Sequence, residues 1–118
     1  MTENLTLSVV PQVASLIQIN PEATVSRTVM QAETCRAVLF AFDAGEKLSE
    51  HTAAMPAVLS VLEGRLLITA DGRDVELVPG DLMHFGTRLP HAVEALEPSK
   101  LLLLMLDPRE SGSGKADS

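Results

Sequence analysis

Aromatic residues and cysteine are scarce in this sequence of 118 residues, which has no Trp, no Tyr, three Phe and one Cys. Without Trp or Tyr, the chain lacks the large rings on which proteins commonly stack sugars or nucleobases. The single cysteine, Cys35, excludes an intramolecular disulfide. No base or nucleophile motif flanks Cys35, so we interpret it as a structural residue.

Positive charge is also sparse. Nine Lys and Arg stand against sixteen Asp and Glu, which gives a net charge of −7, and the basic residues form no block along the chain. Nucleic acids and anionic membrane surfaces attract proteins mainly through clustered Lys and Arg. This composition therefore argues against nucleic acid and against a membrane as partners.

Long hydrophobic segments are absent as well. The strictly apolar run Leu101 to Leu106 has only six residues, whereas a spanning helix needs about 20. The opening residues, Met1 to Asn4, carry neither the positive charge nor the apolar stretch that begins a signal peptide. Together with the lack of a disulfide, these features predict a cytoplasmic protein.

What the sequence does contain is a series of short apolar runs of strand length: Val38–Phe42, Ala57–Leu62, Leu66–Ala70, Val75–Val78 and Leu101–Leu106. Gly and Pro separate them, and Asp71-Gly72 lies where a tight hairpin turn would need positive φ angles. We find no capped segment with helical periodicity. The pattern predicts a single all-β domain.

Two of these strands are apolar on both faces, because Ala57 to Leu62 and Leu101 to Leu106 do not alternate with polar residues. A strand with one face in water should alternate, so both faces should be covered. The cover could be a partner subunit, which would make the protein a homodimer. It could also be the chain's own segment from Val9 to Ile19.

Two stretches resemble the paired motifs of the cupin superfamily. The first runs from Gly45 through His51 to Gly64, and the second runs from Leu77-Val78-Pro79-Gly80-Asp81 to Pro90-His91-Ala92-Val93. Both motifs occur in order, and the resemblance covers roughly residues 24–106. The chain is most similar to small single-domain bacterial cupins, of the conserved barrel type, that have no assigned reaction.

This resemblance implies a jelly-roll-like double-stranded β-barrel with three parts. Residues 24–108 would form the barrel, and residues 1–23 would be a segment that covers the barrel or is swapped with a partner. Residues 109–118 are rich in Gly and Ser and should form a disordered tail.

The cupin pattern also implies a set of metal ligands, of which this sequence keeps only part. His51 and His91 match the first and last ligand positions, but Ala53 stands where the second His is expected, and we place the expected Glu at Pro56. Two imidazoles without a third protein ligand make a weak site. The resemblance therefore implies at most a loosely bound divalent transition metal.

Three other side chains are candidates for the pocket. His84 could supply a ligand, but strand alternation puts Met83 and Phe85 on one face, and the resemblance implies that this face is inside the barrel and that His84 points outward. Met55 and Met83 are candidates for lining an apolar pocket, because thioethers adapt to irregular ligands. We therefore predict a small-molecule site marked by His51, His91, Met55 and Met83.

Two functions are consistent with this pattern. The first is a binding or weakly catalytic cupin, with an apolar pocket for a small organic molecule. The second is a metal-dependent cupin enzyme, oxygenase-like or isomerase-like, with an incomplete or non-standard metal site. The fold cannot choose between them, because one fold hosts many functions.

Overall fold

The structure, a computed structural model, describes residues 7–107, and the predicted tail over residues 109–118 lies outside them. The described residues form a short 3₁₀ helix, Val13–Leu16, and nine strands. The strands are Thr24–Gln31 (β1), Cys35–Phe42 (β2), Lys47–His51 (β3), Ala57–Glu63 (β4), Leu66–Ala70 (β5), Arg73–Leu77 (β6), Leu82–Phe85 (β7), His91–Ala95 (β8) and Ser99–Leu106 (β9). The predicted all-β architecture is confirmed.

The strands form two antiparallel sheets. One sheet has five strands in the order β1-β2-β9-β4-β7, and the other has four in the order β3-β8-β5-β6. Within residues 7–107 no hydrogen-bonded ladder joins the two sheets. The barrel is therefore held together by side chains packed between the sheets rather than by continuous backbone pairing.

The core lies between the sheets and follows the strand alternation that the sequence predicted. In β4, Ala57, Leu59 and Val61 are buried, while Val58 and Ser60 between them face the other side. The largest fully buried side chains of the core include Phe42 and Leu59. Each large apolar side chain buried in this way contributes roughly 2 kcal/mol.

The hairpin predicted at Asp71-Gly72 is confirmed. β5 and β6 pair in register from Leu66 opposite Leu77 to Ala70 opposite Arg73. Both turn residues have positive φ, 54° at Asp71 and 69° at Gly72. Positive φ at both central residues matches the right-handed twist of the flanking strands.

The segment before β1 covers part of the outer face of the five-stranded sheet. Ile17 is only 4% exposed and packs with Leu39 and Ala41, which point outward from β2. This contact corresponds to the second of the two covers that the sequence left open. The cover is partial, since Leu82 on the edge strand β7 is 74% exposed.

Two cations hold this segment in place. The Lys100 Nζ donates a hydrogen bond of 2.8 Å to the Ala14 carbonyl, and the Arg27 Nη1 donates one of 2.7 Å to the Leu16 carbonyl. Carbonyls at the end of a helical turn have no partner within the turn, so charged donors are favourable there. The outer face is thus closed locally by apolar packing and by two charge-assisted hydrogen bonds.

Candidate functional site

The two cupin-motif histidines meet at one end of the molecule. β3 ends at His51, β8 begins at His91, and the two residues lie directly opposite each other in the β3–β8 ladder. Their ring centroids are 4.3 Å apart with the rings inclined at 62°. The pairing of β3 with β8 therefore brings together two histidines that are far apart in the sequence.

Backbone carbonyls set the protonation pattern of both rings. The Nδ1 of His51 lies 2.8 Å from the Ser49 carbonyl, and the Nδ1 of His91 lies 2.8 Å from the Leu89 carbonyl. A carbonyl oxygen can only accept a hydrogen bond, so each Nδ1 carries the hydrogen and donates it. In the neutral state, each Nε2 is then left as an acceptor or metal ligand.

His91 is the more enclosed of the two histidines. Its ring stacks on Phe85, with centroids 4.2 Å apart and an angle of 24° between the planes. Burial lowers the pKa of His91 below its ordinary value of 6.5, opposed by the hydrogen bond to Leu89 and aided by the charge of His51. His91 is consequently neutral at neutral pH, and its Nε2 can accept a hydrogen bond.

The histidines border a cavity of about 200 Å³ between the sheets. Every other side chain around it is apolar: Phe40, Ala53, Met55, Ala57, Phe85, Leu103 and Met105, with Gly86 completing the wall. Pockets of this kind bind small molecules through apolar contact and orient them through a few polar atoms. Here the orienting atoms belong to the two histidines.

The remaining predicted site residues are placed differently. Met55 lines the cavity, but Met83 does not. Met83 faces inward from β7 and pairs in register with Leu59. Phe85 is the next inward-facing residue of β7, and Met83 lies further from the histidines than Phe85 does. His84 is exposed on the outer face of β7, as strand alternation predicted. The structure therefore brings together His51, His91 and Met55.

The structure corrects one assignment made from the sequence. The expected Glu position was placed at Pro56, but the cavity is lined by Ala57, which is registered with Phe85 and Met105. The inward-facing residue is the one available for ligation, so the sequence assignment was wrong by one residue. Ala57 carries no donor atom either, and the site still lacks this ligand.

The donor set does not fit a complete metal centre. Ala53 also lines the cavity without a donor. Within residues 7–107 there is no group of three or more His, Cys, Asp or Glu side chains placed to hold a metal ion. Two imidazoles fall short of the ligand number that zinc and iron sites normally use.

The sequence pattern does not identify most of the cavity wall. Phe40 and Phe85 have the character of core residues, and Leu103 and Met105 belong to a uniformly apolar run. The available signal is alternation along β9, in which Leu101, Leu103 and Met105 face inward. A run that is apolar on both faces hides this alternation.

A family model described as a cupin domain matches residues 38–107. This segment contains both histidines and the seven strands from β3 to β9 in full. The chain belongs to the cupin family, as the two motifs indicated.

Solved structures support the same fold. A cupin superfamily protein from Desulfitobacterium hafniense is 28% identical, with a TM-score of 0.77 and coverage of 89% of this chain and 96% of that one. A conserved protein of unknown function from Streptococcus pyogenes is 24% identical, with a TM-score of 0.77 and coverage of 91% and 94%. Neither of these two relatives carries a stated activity.

An enzyme has the same fold at lower identity. A mutant of salicylate 1,2-dioxygenase from Pseudoaminobacter salicylatoxidans, in complex with gentisate, is 17% identical with a TM-score of 0.67. The match covers 74% of this chain but 26% of the enzyme. At this identity the likeness shows the fold alone.

No protein in the curated set matches the chain significantly. Over residues 7–107, no helix is long and apolar enough to cross a membrane.

Proposed function

We propose that this cupin binds a small, largely apolar organic molecule through hydrogen bonds to the Nε2 atoms of His51 and His91. The observation that carries the proposal is an apolar cavity of about 200 Å³ bordered by two rings whose Nδ1–H groups are each tied to a backbone carbonyl. The protein thereby fixes which ring nitrogen is available to the ligand.

This arrangement selects a ligand with a hydroxyl or N–H group. When an imidazole is neutral and its Nδ1 carries the hydrogen, its Nε2 presents a lone pair that can accept a hydrogen bond but cannot donate one. A ligand hydrogen satisfies one such acceptor, whereas a ligand oxygen without a hydrogen would face lone pairs only. An Nε2 atom can also take up a proton from the bound group, which would make the protein weakly catalytic as a general base.

Binding of phenol and anisole tests the proposal, because the two molecules share a ring but only phenol has a donor. We expect phenol to bind about threefold to tenfold more tightly, the range of one net neutral hydrogen bond. The preference should be weaker in His51→Ala and in His91→Ala and should disappear when both are replaced, because either Nε2 atom can accept the single phenol hydrogen. It should persist in His84→Ala, because His84 is exposed on the outer face away from the cavity. Isothermal titration calorimetry at pH 8 measures these affinities.

The pH dependence provides a control for the protonation state. Because burial holds the pKa of His91 below 6.5, its Nε2 should keep accepting at pH 7 and lose this ability only as the pH falls through that lowered pKa. The contribution of His91 to phenol affinity, measured in His51→Ala, should therefore change little between pH 8 and pH 7 and should fall in more acidic buffer. Equal affinity for phenol and anisole at pH 8 would contradict the proposal.

The second candidate function is that of a metal-dependent enzyme. The observation in its favour is that each Nδ1–H is bonded to a carbonyl, as in histidines that ligate metals through Nε2. The donor set lacks a third ligand within residues 7–107, so no catalytic step through a metal follows from these residues.

We also propose that the protein is a homodimer that buries the uncovered part of the five-stranded sheet's outer face. Support comes from Leu82, which is 74% exposed on β7, and from the apolar outward positions of β4 and β9 next to it. Light scattering at micromolar concentration should give about twice the chain mass of 12.6 kDa. A soluble monomer would mean that the segment around Ile17 is a sufficient cover.

A further inference from the structure

Arg36 lies in β2, an otherwise apolar strand, and its side chain is on the inner face of the five-stranded sheet. In the β2–β9 ladder it is directly opposite Met105, whose side chain lines the histidine cavity. Opposite residues of an antiparallel pair point to the same face. The guanidinium therefore lies on the cavity side of the sheet, with its Nη2 3.8 Å from the Met105 sulfur.

The hydrogen-bonding capacity of Arg36 is incompletely used. Its Nε is buried and has no hydrogen-bond partner within the described part of the chain. The salt bridges among residues 7–107 involve Arg65 and Lys100, not Arg36. Buried polar groups are nearly always hydrogen-bonded in native proteins, so an unmatched guanidinium donor indicates a missing acceptor.

Arg36 borders a second cavity of about 160 Å³, which shares two walls, Met55 and Met105, with the histidine cavity. Methionine side chains are unbranched and flexible, so they yield more readily than rings or branched side chains. Met55 and Met105 thus separate the cavity bordered by His51 and His91 from the cavity bordered by Arg36.

We propose that Arg36 binds the carboxylate of the ligand held by His51 and His91, so that the natural ligand is a small apolar acid with a hydroxyl or N–H group at its other end. This inference rests on the proposed function. An Nε2 atom that carries no hydrogen offers no donor to an anionic oxygen, whereas the planar guanidinium offers several. Glu33 and Asp107 also border the second cavity. Their carboxylates repel an anionic ligand, although Asp107 also has another interaction. The gain in ligand affinity from Arg36 is therefore expected to be moderate.

A matched pair of probes tests this assignment: 4-hydroxyphenylacetate and its neutral amide, 4-hydroxyphenylacetamide. Both have a phenol group for the histidines, and only the acid has a charge for Arg36. At pH 8 we expect the acid to bind about tenfold more tightly than the amide, the size of a charge-assisted hydrogen bond. Arg36→Gln should abolish this preference, because it should weaken binding of the acid much more than binding of the amide, whose carbonyl accepts only a neutral-acceptor hydrogen bond from the guanidinium.

Two variants serve as controls. Arg73→Gln removes the same charge from the exposed end of β6 beside the hairpin turn, so it should keep the full preference for the acid. Arg36→Lys keeps the charge but loses the planar fork, and it should reduce the preference severalfold. Thermal melting confirms that each variant is folded, and Arg36→Lys carries the test if Arg36→Gln does not fold.

The outcomes separate this inference from the proposed function. If acid and amide bind the parent protein equally well, or if Arg73→Gln loses as much preference as the Arg36 variants, the assignment of Arg36 is wrong while the histidine cavity stands. If phenol, acid and amide all fail to bind, the histidine cavity is not a binding site, and both proposals fail.

Discussion

Replacing Gly64 with alanine should destabilise the protein by about 3 kcal/mol or more, the sum of backbone strain and overpacking. Gly64 follows β4 with a φ of 87°, a conformation that side-chain-bearing residues rarely adopt. A Cβ at this position would stand 2.7 Å from the Cα of Ser99 and even closer to the Ser99 hydroxyl and the Pro98 carbonyl. These neighbours are mainly backbone and cannot move aside cheaply.

Ser99 cannot relieve the clash because it is fully buried and firmly held. Its hydroxyl accepts a hydrogen bond of 3.0 Å from the Arg65 backbone N–H and lies 2.7 Å from the Glu97 carbonyl. Ser99 is also the first residue of β9, in register with Phe42. A shift of Ser99 would therefore disturb both the buried hydrogen bonds and the ladder of the five-stranded sheet.

Gly72→Ala is the matched control, because Gly72 also has positive φ, 69°, but nothing lies within 4 Å of a Cβ built there. Gly72→Ala should lower the free energy of unfolding only by the cost of the backbone conformation, about 1 kcal/mol. For a domain of this size, the two losses correspond to melting-temperature decreases of roughly 10–20 °C and 3–7 °C. Calorimetric or circular dichroism melts measure both. Equal decreases would show that the contact with Ser99 contributes nothing.

The second large effect is a gain in metal affinity. Ala53→His should raise the affinity for Zn²⁺ by about 100-fold, because a third imidazole next to His51 and His91 completes the minimum ligand set. Ala53 lines the same cavity as the histidines, and its carbonyl accepts a hydrogen bond of 2.9 Å from the Arg88 N–H, which fixes the backbone there. The parent protein should lose Zn²⁺ under mild chelation. Competitive titration with a chromophoric chelator measures both affinities.

Thr52→His is the control for simply adding a histidine nearby. Thr52 is exposed and does not line the cavity, so this variant should bind Zn²⁺ as weakly as the parent protein. The double variant His51→Ala/Ala53→His should lose the gain, because it again has only two imidazoles at the site. Tight binding by the parent protein would instead reveal a ligand beyond those identified.

Much of the fold could be predicted because strand signals are local. The Asp71-Gly72 turn specifies its own positive φ angles, and the apolar runs that became β2, β4, β5, β6 and β9 are continuous in sequence. β1, β3 and β7 carry mixed polar and apolar residues, so no run marks them individually. β3 and β7 pair with strands distant in the sequence, β8 and β4, whereas β1 pairs with β2, which follows it directly. Such pairing overrides local preference.

The candidate site shows the same division. His51 and His91 could be singled out because each lies in a recognisable motif, and alternation correctly turned His84 outward. Met83 faces inward as expected but does not line the cavity, because alternation gives the face of a strand and not the position along it. The shift from Pro56 to Ala57 has a related cause, since only the pairing of β4 with β7 and β9 shows which residue faces the cavity.

The sequence by itself determined the strand content, the tight turn, the two histidines and the lack of a full ligand set at Ala53, because these depend on residue identity and local pattern. The tertiary structure decided the rest. It set the 4.3 Å approach of the histidine rings, the carbonyls that fix their tautomers, and the approach of Arg36 to Met105 across the β2–β9 ladder. Each of these joins residues far apart in the chain or depends on backbone geometry, and local sequence preference does not encode such distances.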